Sequence, residues 1–243
     1  MTREVRNALL VFVGAVLVLI VADGTVLHYV RPGMAPLVAA AGVVVIALAL
    51  LDVARDLRRR PEPADGHDDD HDHGSGRSAW PLLVPVLVVL LAAPPSLGSD
   101  AVDLAGSRTV AVGRAPEEPL PPREAPAVPV VDLVARAAAT PDGGALAGRD
   151  VTVTGFVVPA RDGRGTDLAR LVISCCAADA SPVRVHVDDP AGLVGAPGTG
   201  GDRWVSARVR LVPGTATRGT GFVPTVTVLD AAEVREPTPA YEY

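Results

Sequence analysis

Three long apolar runs lie in the first hundred residues, at about 7–27, 32–51 and 79–98. A helix of about 20 apolar residues is long enough to cross a lipid bilayer. Prolines interrupt the third run, so it could also be kinked or re-entrant. The pattern therefore predicts a transmembrane domain over residues 1–99, in which a loop over 52–78 separates the second span from the third.

The arginines beside these runs predict an orientation. Arginines flank the first two spans on one side: Arg3, Arg6, Arg55, Arg58, Arg59 and Arg60. Cytoplasmic loops carry the excess of positive charge, which places the N-terminus and the 52–78 loop in the cytoplasm. Three crossings then give a multi-pass protein of the cell membrane with an extracytoplasmic C-terminal domain. If the third run does not cross, that domain is cytoplasmic.

A proline-rich connector follows over residues 100–146. Between Arg114 and Pro129, six of sixteen residues are proline, which is typical of an extended, semi-rigid stalk. A short helix is predicted over 130–139, where a Thr-Pro-Asp-Gly-Gly sequence ends it.

From residue 147 the apolar positions alternate with a period of two, which indicates strands. Strands are predicted over 151–158, 171–176, 183–187, 204–212 and 223–228. Five short strands fit a small all-β barrel of the OB type over residues 147–235, followed by a tail over 236–243. A small sandwich is the competing fold. The fold class is thus a membrane protein with N-terminal transmembrane helices and a C-terminal β-barrel.

Charge and composition exclude two classes of function. The net charge is −6 and aromatic residues make up 3% of the chain, so neither a basic field nor stacking surfaces favour nucleic acid. No catalytic motif is present, and a phosphate-binding loop with lysine is impossible because every basic side chain is arginine or histidine. We therefore expect neither an enzyme nor a nucleic-acid-binding protein.

Candidate chemistry centres on the only two cysteines, Cys175 and Cys176. Thiolates bind soft metal ions such as zinc or Cu(I), with Asp179 or His186 as a further ligand. The pair could instead form a vicinal disulfide, or serve only as small structural residues. Asp179 is expected to cap a turn, a common role of aspartate. On its strand, His186 is a ligand or a solvated side chain.

A second candidate metal site lies in the loop after the second span. His67, His71 and His73 alternate with four aspartates within seven residues. Imidazole and carboxylate groups at this density would hold zinc or a similar ion weakly. The alternative is a disordered polar linker, since the segment has no apolar residue to anchor it.

Three segments together resemble one bacterial membrane family. The cysteine segment reads Ile-Ser-Cys-Cys-Ala-Ala-Asp-Ala over 173–180, the loop between the first two spans reads Leu-His-Tyr-Val-Arg-Pro-Gly-Met over 27–34, and the last residues read Pro-Thr-Pro-Ala-Tyr-Glu-Tyr. The chain resembles the YcgQ-type subunits of two-component permeases. The resemblance implies a separate multi-span permease as partner and a link to metal-ion handling.

These observations lead to two hypotheses of function. The first is an accessory membrane subunit of a permease for divalent metal ions, whose extracytoplasmic β domain binds the ligand or gates the permease. The second is a membrane-tethered module for protein interaction, with no ligand or metal of its own. The partners expected are a permease and the lipid bilayer, and zinc is the ion we consider first.

Overall fold

The computed structural model describes residues 3–58, 96–104, 118–198 and 201–243. The chain forms two compact units. The first comprises Met1–Leu27 and Pro32–Pro95, and the second comprises His28–Arg31 and Ser96–Tyr243. Four residues of the loop between the first two helices therefore belong to the second unit.

The described part of the first unit is a pair of helices, α1 (Arg3–Ala22) and α2 (Ala35–Arg58). Gly14 and Gly42 bring the two backbones together, since a Cβ at either position would lie 2.7–2.8 Å from the carbonyl oxygen of the other. Small residues allow such close packing of apolar helices. Arg6 near the start of α1 forms an ion pair with Asp52 near the end of α2, at 2.7 Å. The two helices are therefore antiparallel.

Among the described residues, one helical segment, Pro32–Arg58, is long and apolar enough to cross a membrane. The apolar part of α1, Arg6–Ala22, is shorter than the predicted first span, because the helix ends at Ala22. The predicted third span over 79–98 and most of the 52–78 loop lie outside the described residues.

The described part of the second unit contains five strands and two α-helices. The helices are α3 (Ser99–Leu104) and α4 (Val130–Ala139). The strands are β1 (Asp150–Pro159), β2 (Thr166–Val172), β3 (Ser181–Asp188), β4 (Trp204–Val212) and β5 (Thr225–Glu233). They pair in the order β1-β2-β3-β5-β4, and β4 returns to β1, so the sheet is a closed barrel. All pairs are antiparallel except β3 with β5.

Two apolar clusters hold this unit together. The larger fills the barrel with inward-facing side chains such as Val153, Leu168 and Val209, and α4 covers it with Leu133 and Val134. The smaller cluster contains Phe156 of β1, Trp204 of β4 and neighbouring residues of β1 and β2. Val102 of α3 and Tyr241 complete it. Phe156 and Trp204 meet edge to face at 5.1 Å between ring centroids. Apolar burial of this extent is the main stabilising contribution to a small domain.

Four of the five predicted strands are present, the one over 204–212 with the predicted ends and the other three with shifted ends, but the second was misplaced. We predicted it over 171–176, whereas β2 ends at Val172 and the cysteines follow in a turn. The first half of β2 contains the charged residues Asp167 and Arg170, and the sequence analysis placed no strand there. Both are buried, because Asp167 forms an ion pair with Arg184 and Arg170 lies 3.5 Å from Glu242.

The described parts of the predicted stalk and tail pack against the barrel. The proline-rich segment is extended, yet it runs beside β1, where the Val128 N–H donates to the Thr152 carbonyl at 2.9 Å. Leu120 and Val128 lie in the apolar core. Near the end of the chain, Tyr241 is buried, and Glu242 pairs with Val172 as a short parallel partner. Apolar side chains among the prolines explain this packing, since exposing them to water would be unfavourable.

Candidate functional site

The two cysteines lie in an exposed turn between β2 and β3. Cys175 is exposed and Cys176 is partly exposed, and both are free thiols with their sulfur atoms 3.6 Å apart. The alternative in which Cys175 is a small structural residue of the core does not hold, because the residue is exposed. Sulfur atoms of both cysteines and a carboxylate oxygen of Asp179 lie within 4.8 Å of one another. Three potential metal ligands thus meet on one turn.

Asp179 organises this turn, as its sequence position predicted. Its carboxylate accepts hydrogen bonds from the backbone N–H groups of Ser174, Cys175 and Cys176, at 2.7, 2.8 and 3.3 Å. The Asp179 N–H in turn donates to the Cys176 carbonyl at 3.0 Å, which closes a single 3-10 turn over Ala177–Asp179. One carboxylate therefore sets the backbone on which both thiols stand.

The same carboxylate controls the protonation of Cys175. The thiol and the carboxylate share a hydrogen bond, which raises the pKa of Cys175 to about 12, and the neighbouring Cys176 adds to the effect. The bond from the thiol and those from the backbone N–H groups lower the pKa of Asp179 to about 2. At neutral pH the pair is thus a thiol beside a carboxylate. A metal ion would have to displace the proton to bind sulfur.

The cysteine turn also pairs with residues 28–31, which we call the strap. The Arg31 N–H donates to the Cys175 carbonyl at 3.1 Å, and the Ala177 N–H donates to the Tyr29 carbonyl at 2.7 Å. Val30 and Cys176 therefore form an antiparallel bridge. The sequence drew attention to both segments, but nothing in their local pattern indicated that they pair.

The end of the chain holds the strap in place. The Tyr241 hydroxyl donates to the His28 carbonyl at 3.0 Å, and the Arg31 guanidinium lies 5.5 Å from the centroid of the Tyr243 ring. All three segments that carry the resemblance to permease subunits therefore meet at the cysteine turn. The strap also continues directly into α2 through Pro32.

The remaining candidate ligands lie elsewhere or outside the described residues. His186 does not join the cysteine cluster; its Nδ1 atom lies 3.0 Å from the carboxylate of Asp167. His67, His71 and His73 are outside the residues that the structure describes. Among the residues that the structure describes, the candidate metal site therefore reduces to Cys175, Cys176 and Asp179.

Sequence reasoning missed the buried charges of this unit. Asp167, Arg170 and Arg184 are each less than a tenth exposed, and Glu242 pairs with Arg170. A signal was available, because these residues occur within strands whose other positions are mostly apolar. Charged groups are rarely buried without partners, so such positions indicate buried ion pairs.

Removing the Asp179 carboxylate should make Cys175 far more reactive. With a pKa of about 12, Cys175 has almost no thiolate at neutral pH, whereas an ordinary cysteine thiol titrates at about 8.5. In a Cys176→Ser background, we expect Asp179→Ala to raise the rate of alkylation by iodoacetamide by about a hundredfold, since only the thiolate reacts. Mass spectrometry of the intact chain at timed intervals gives the rate.

The control for this experiment is Asp142→Ala, which removes the carboxylate that caps a turn distant in sequence, through a bond from the Gly144 N–H. Its alkylation rate should equal that of the parent. Equal rates for the Asp179 variant and its parent would show that Asp179 does not control the thiol.

Two family models match the chain and cover both of its units. The DUF1980 N-terminal domain matches residues 5–107, and the DUF1980 C-terminal domain matches residues 141–243. No similar curated protein and no similar solved structure was found. The chain therefore carries both the N-terminal and the C-terminal domain of DUF1980, a family of unknown function.

Proposed function

We propose that this protein is an accessory membrane subunit of a permease of the YcgQ type, and that its β unit binds a metal ion at the cysteine turn. The ligands would be the sulfur atoms of Cys175 and Cys176 and a carboxylate oxygen of Asp179. The closed five-stranded sheet with its parallel β3–β5 pairing also supports the proposed kinship with OB-type barrels.

The observation that carries the metal site is the approach of three ligand atoms to within 4.8 Å on one exposed turn. Two thiolates and one carboxylate fit zinc, and thiolates also fit Cu(I). Zinc is usually four-coordinate, so three protein ligands would leave one position for water or a passing ligand. An open position suits a site that receives an ion and releases it.

The proposed membrane placement is supported by the first unit. Leucine and valine side chains along α2 are exposed, among them Leu37, Val43, Val44, Leu48 and Leu51. In a membrane these side chains would contact lipid or the helices of a permease, without the cost of exposing them to water. Together with the positions of the arginines and a third crossing over 79–98, this favours a multi-pass protein with its β unit outside the cytoplasm.

A second candidate function is a membrane-tethered interaction module without a metal. The turn itself favours this alternative, because the Asp179 carboxylate already accepts three backbone hydrogen bonds. Its bond with Cys175 also keeps that thiol protonated. The turn is therefore fully hydrogen-bonded without an ion, and the cysteines would then act only in holding the strap.

Elemental analysis of the full chain, purified in mild detergent, distinguishes the two functions. For a metal site we expect about one zinc or copper ion per chain, since thiolate ligands select these soft ions. The Cys175→Ser, Cys176→Ser double variant should lose the ion, while a Ser174→Ala variant, which leaves all three ligands in place, should keep it.

The same preparations test the proposed partner. A multi-span membrane protein should co-purify with the parent chain, and mass spectrometry identifies it. Metal-free protein with two free thiols and a bound permease would favour the interaction module. Metal-free protein without any multi-span partner, in repeated preparations, would contradict both functions.

A further inference from the structure

A second concave site lies in the barrel, independent of the cysteine turn. It has a volume of about 420 Å³ and lies between the β1–β2 loop and the β4–β5 loop, with Asp167 of β2 and His186 of β3 between them. Small-molecule sites in proteins commonly have volumes of about 300–1,000 Å³. The cavity is therefore large enough for a ligand of the size of one sugar or one amino acid.

Asp167 and His186 form a fixed pair within this pocket. They face each other directly across β2 and β3, and the Nδ1 atom of His186 lies 3.0 Å from one carboxylate oxygen of Asp167. Asp167 is 3% exposed, and Arg184 lies 3.5 Å from its other oxygen. Burial raises the pKa of the Asp167 carboxyl, while the bonds from His186 and Arg184 act in the opposite direction. Because Nδ1 is engaged, Nε2 is the ring nitrogen left for a ligand.

The charges around the pocket balance, so the site does not select a charged ligand. Arg161 and Asp162 line it with opposite charges, and Arg184 offsets the charge of Asp167. A strongly anionic or cationic molecule would find no excess of the opposite charge here. The polar groups instead suit a neutral ligand that carries several hydroxyl groups.

The β4–β5 loop, which lines one side of the pocket, contains a residue with a strained backbone. Phe222 lies between two lining residues, Gly221 and Val223, and is 38% exposed. Its backbone has a φ of 62°, which is rare for an aromatic residue, and a bond from its N–H to the Thr217 carbonyl at 2.7 Å holds it there. Backbone strain of this kind is concentrated at functional sites.

We propose that this pocket binds a saccharide unit, as a free sugar or as part of a glycan chain. Sugars combine a polar edge of hydroxyl groups with an apolar face of C–H groups. The hydroxyls would bond to His186, and the apolar face would lie against Ala160 and Val223, which line the pocket. Asp167 acts as a positioning residue that fixes the imidazole. Nucleic acid is disfavoured because the chain has a net charge of −6.

A metal ion is a poorer fit for this pocket. Among the described residues, the one group of three potential ligands is the cysteine turn, and neither Asp167 nor His186 belongs to it. Failure of metal binding at the cysteines would therefore leave the saccharide proposal unaffected, and the reverse also holds.

The test is a titration of the full chain, labelled with ¹⁵N-histidine in detergent micelles, with glucose, N-acetylglucosamine and linear oligomers of each. The chain has five histidines, so the ring signals are few, and His186→Gln assigns the relevant one. We expect the Nε2 signal of His186 to shift, with a dissociation constant on the order of millimolar for the monosaccharides. If only the monosaccharides bind, the ligand is a free sugar. If only the oligomers bind, the ligand is part of a glycan chain.

Two variants make the proposal falsifiable. Gly219 lines the pocket, and a Cβ there would contact only Thr217 Oγ1 at 3.6 Å, so Gly219→Leu fills the pocket without disturbing the backbone. Gly219→Leu should weaken binding by about tenfold or more. Leu193→Ala, which changes an exposed apolar side chain outside the pocket, should not.

Three results would overturn the proposal. The first is no shift with any saccharide, and the second is binding that Gly219→Leu leaves unchanged. The third is a pocket that binds acetate or ammonium, with the same sensitivity to Gly219→Leu, and no sugar.

Discussion

Glu242→Ala should lower the free energy of unfolding of the β unit by about 3 kcal/mol, because it breaks a buried charge pair and leaves one partner behind. The Glu242 carboxylate accepts hydrogen bonds from the Val130 and Val131 N–H groups, both at 2.8 Å. These are the first N–H groups of α4, which have no partner within the helix. The carboxylate also lies 3.5 Å from Arg170, whose side chain is 6% exposed.

Chemical denaturation of the full chain in detergent measures this effect through the fluorescence of Trp204, in a Trp80→Phe background. The matched control is Glu233→Ala, which removes a carboxylate that is 67% exposed and paired with Arg203. Exposed pairs contribute about 0–1 kcal/mol, so the control should unfold almost like the parent. Glu242→Gln keeps the size of the side chain and one acceptor oxygen, so its free energy of unfolding should lie between those of Glu242→Ala and Glu233→Ala. A Glu242→Ala variant as stable as the control would contradict the capping role.

Leu133→Ala should destabilise the β unit by about 3 kcal/mol, within the usual range of 2–5 for a buried leucine. Leu133 is 0% exposed and lies with Val130 and Val134 in the apolar core of the barrel. The substitution would leave a cavity, since closely packed surroundings relax only in part. The effect follows from the position of α4 on the barrel and would be absent from a free-standing stalk.

The control is Leu104→Ala in α3, which removes the same atoms from a side chain that is 88% exposed. The same fluorescence measurement applies to both variants. If the two substitutions lower the free energy of unfolding equally, α4 does not contribute to the core in solution.

Local pattern was enough to predict several elements. The helix over 130–139 and the strand over 204–212 were predicted with the ends that the structure has. In both, apolar side chains recur with the period of the element and polar side chains lie between them. The turn that Asp179 caps was also predictable, because aspartate readily accepts bonds from backbone N–H groups nearby.

Contacts between segments distant in sequence could not be predicted from such local patterns. Glu242 caps a helix that begins 112 residues earlier, and His186 meets Asp167 instead of the cysteines. A charged residue in a strand is ambiguous on its own, because only its partner decides whether burial is tolerable. The strap illustrates the same limit, since its pairing with the cysteine turn depends on backbone groups and hardly on side chains.

The strap pairs with the backbone of the cysteine turn, and a shortened protein would lack this partner. A fragment that starts after α2 has no residues 28–31, so the Cys175 carbonyl and the Ala177 N–H would lose their partners. An open strand edge tends to recruit another chain. Here that edge carries two thiols, so two fragments could bind one ion between them. The metal stoichiometry measured on such a fragment would then describe a dimer formed at the edge that the strap covers in the intact chain.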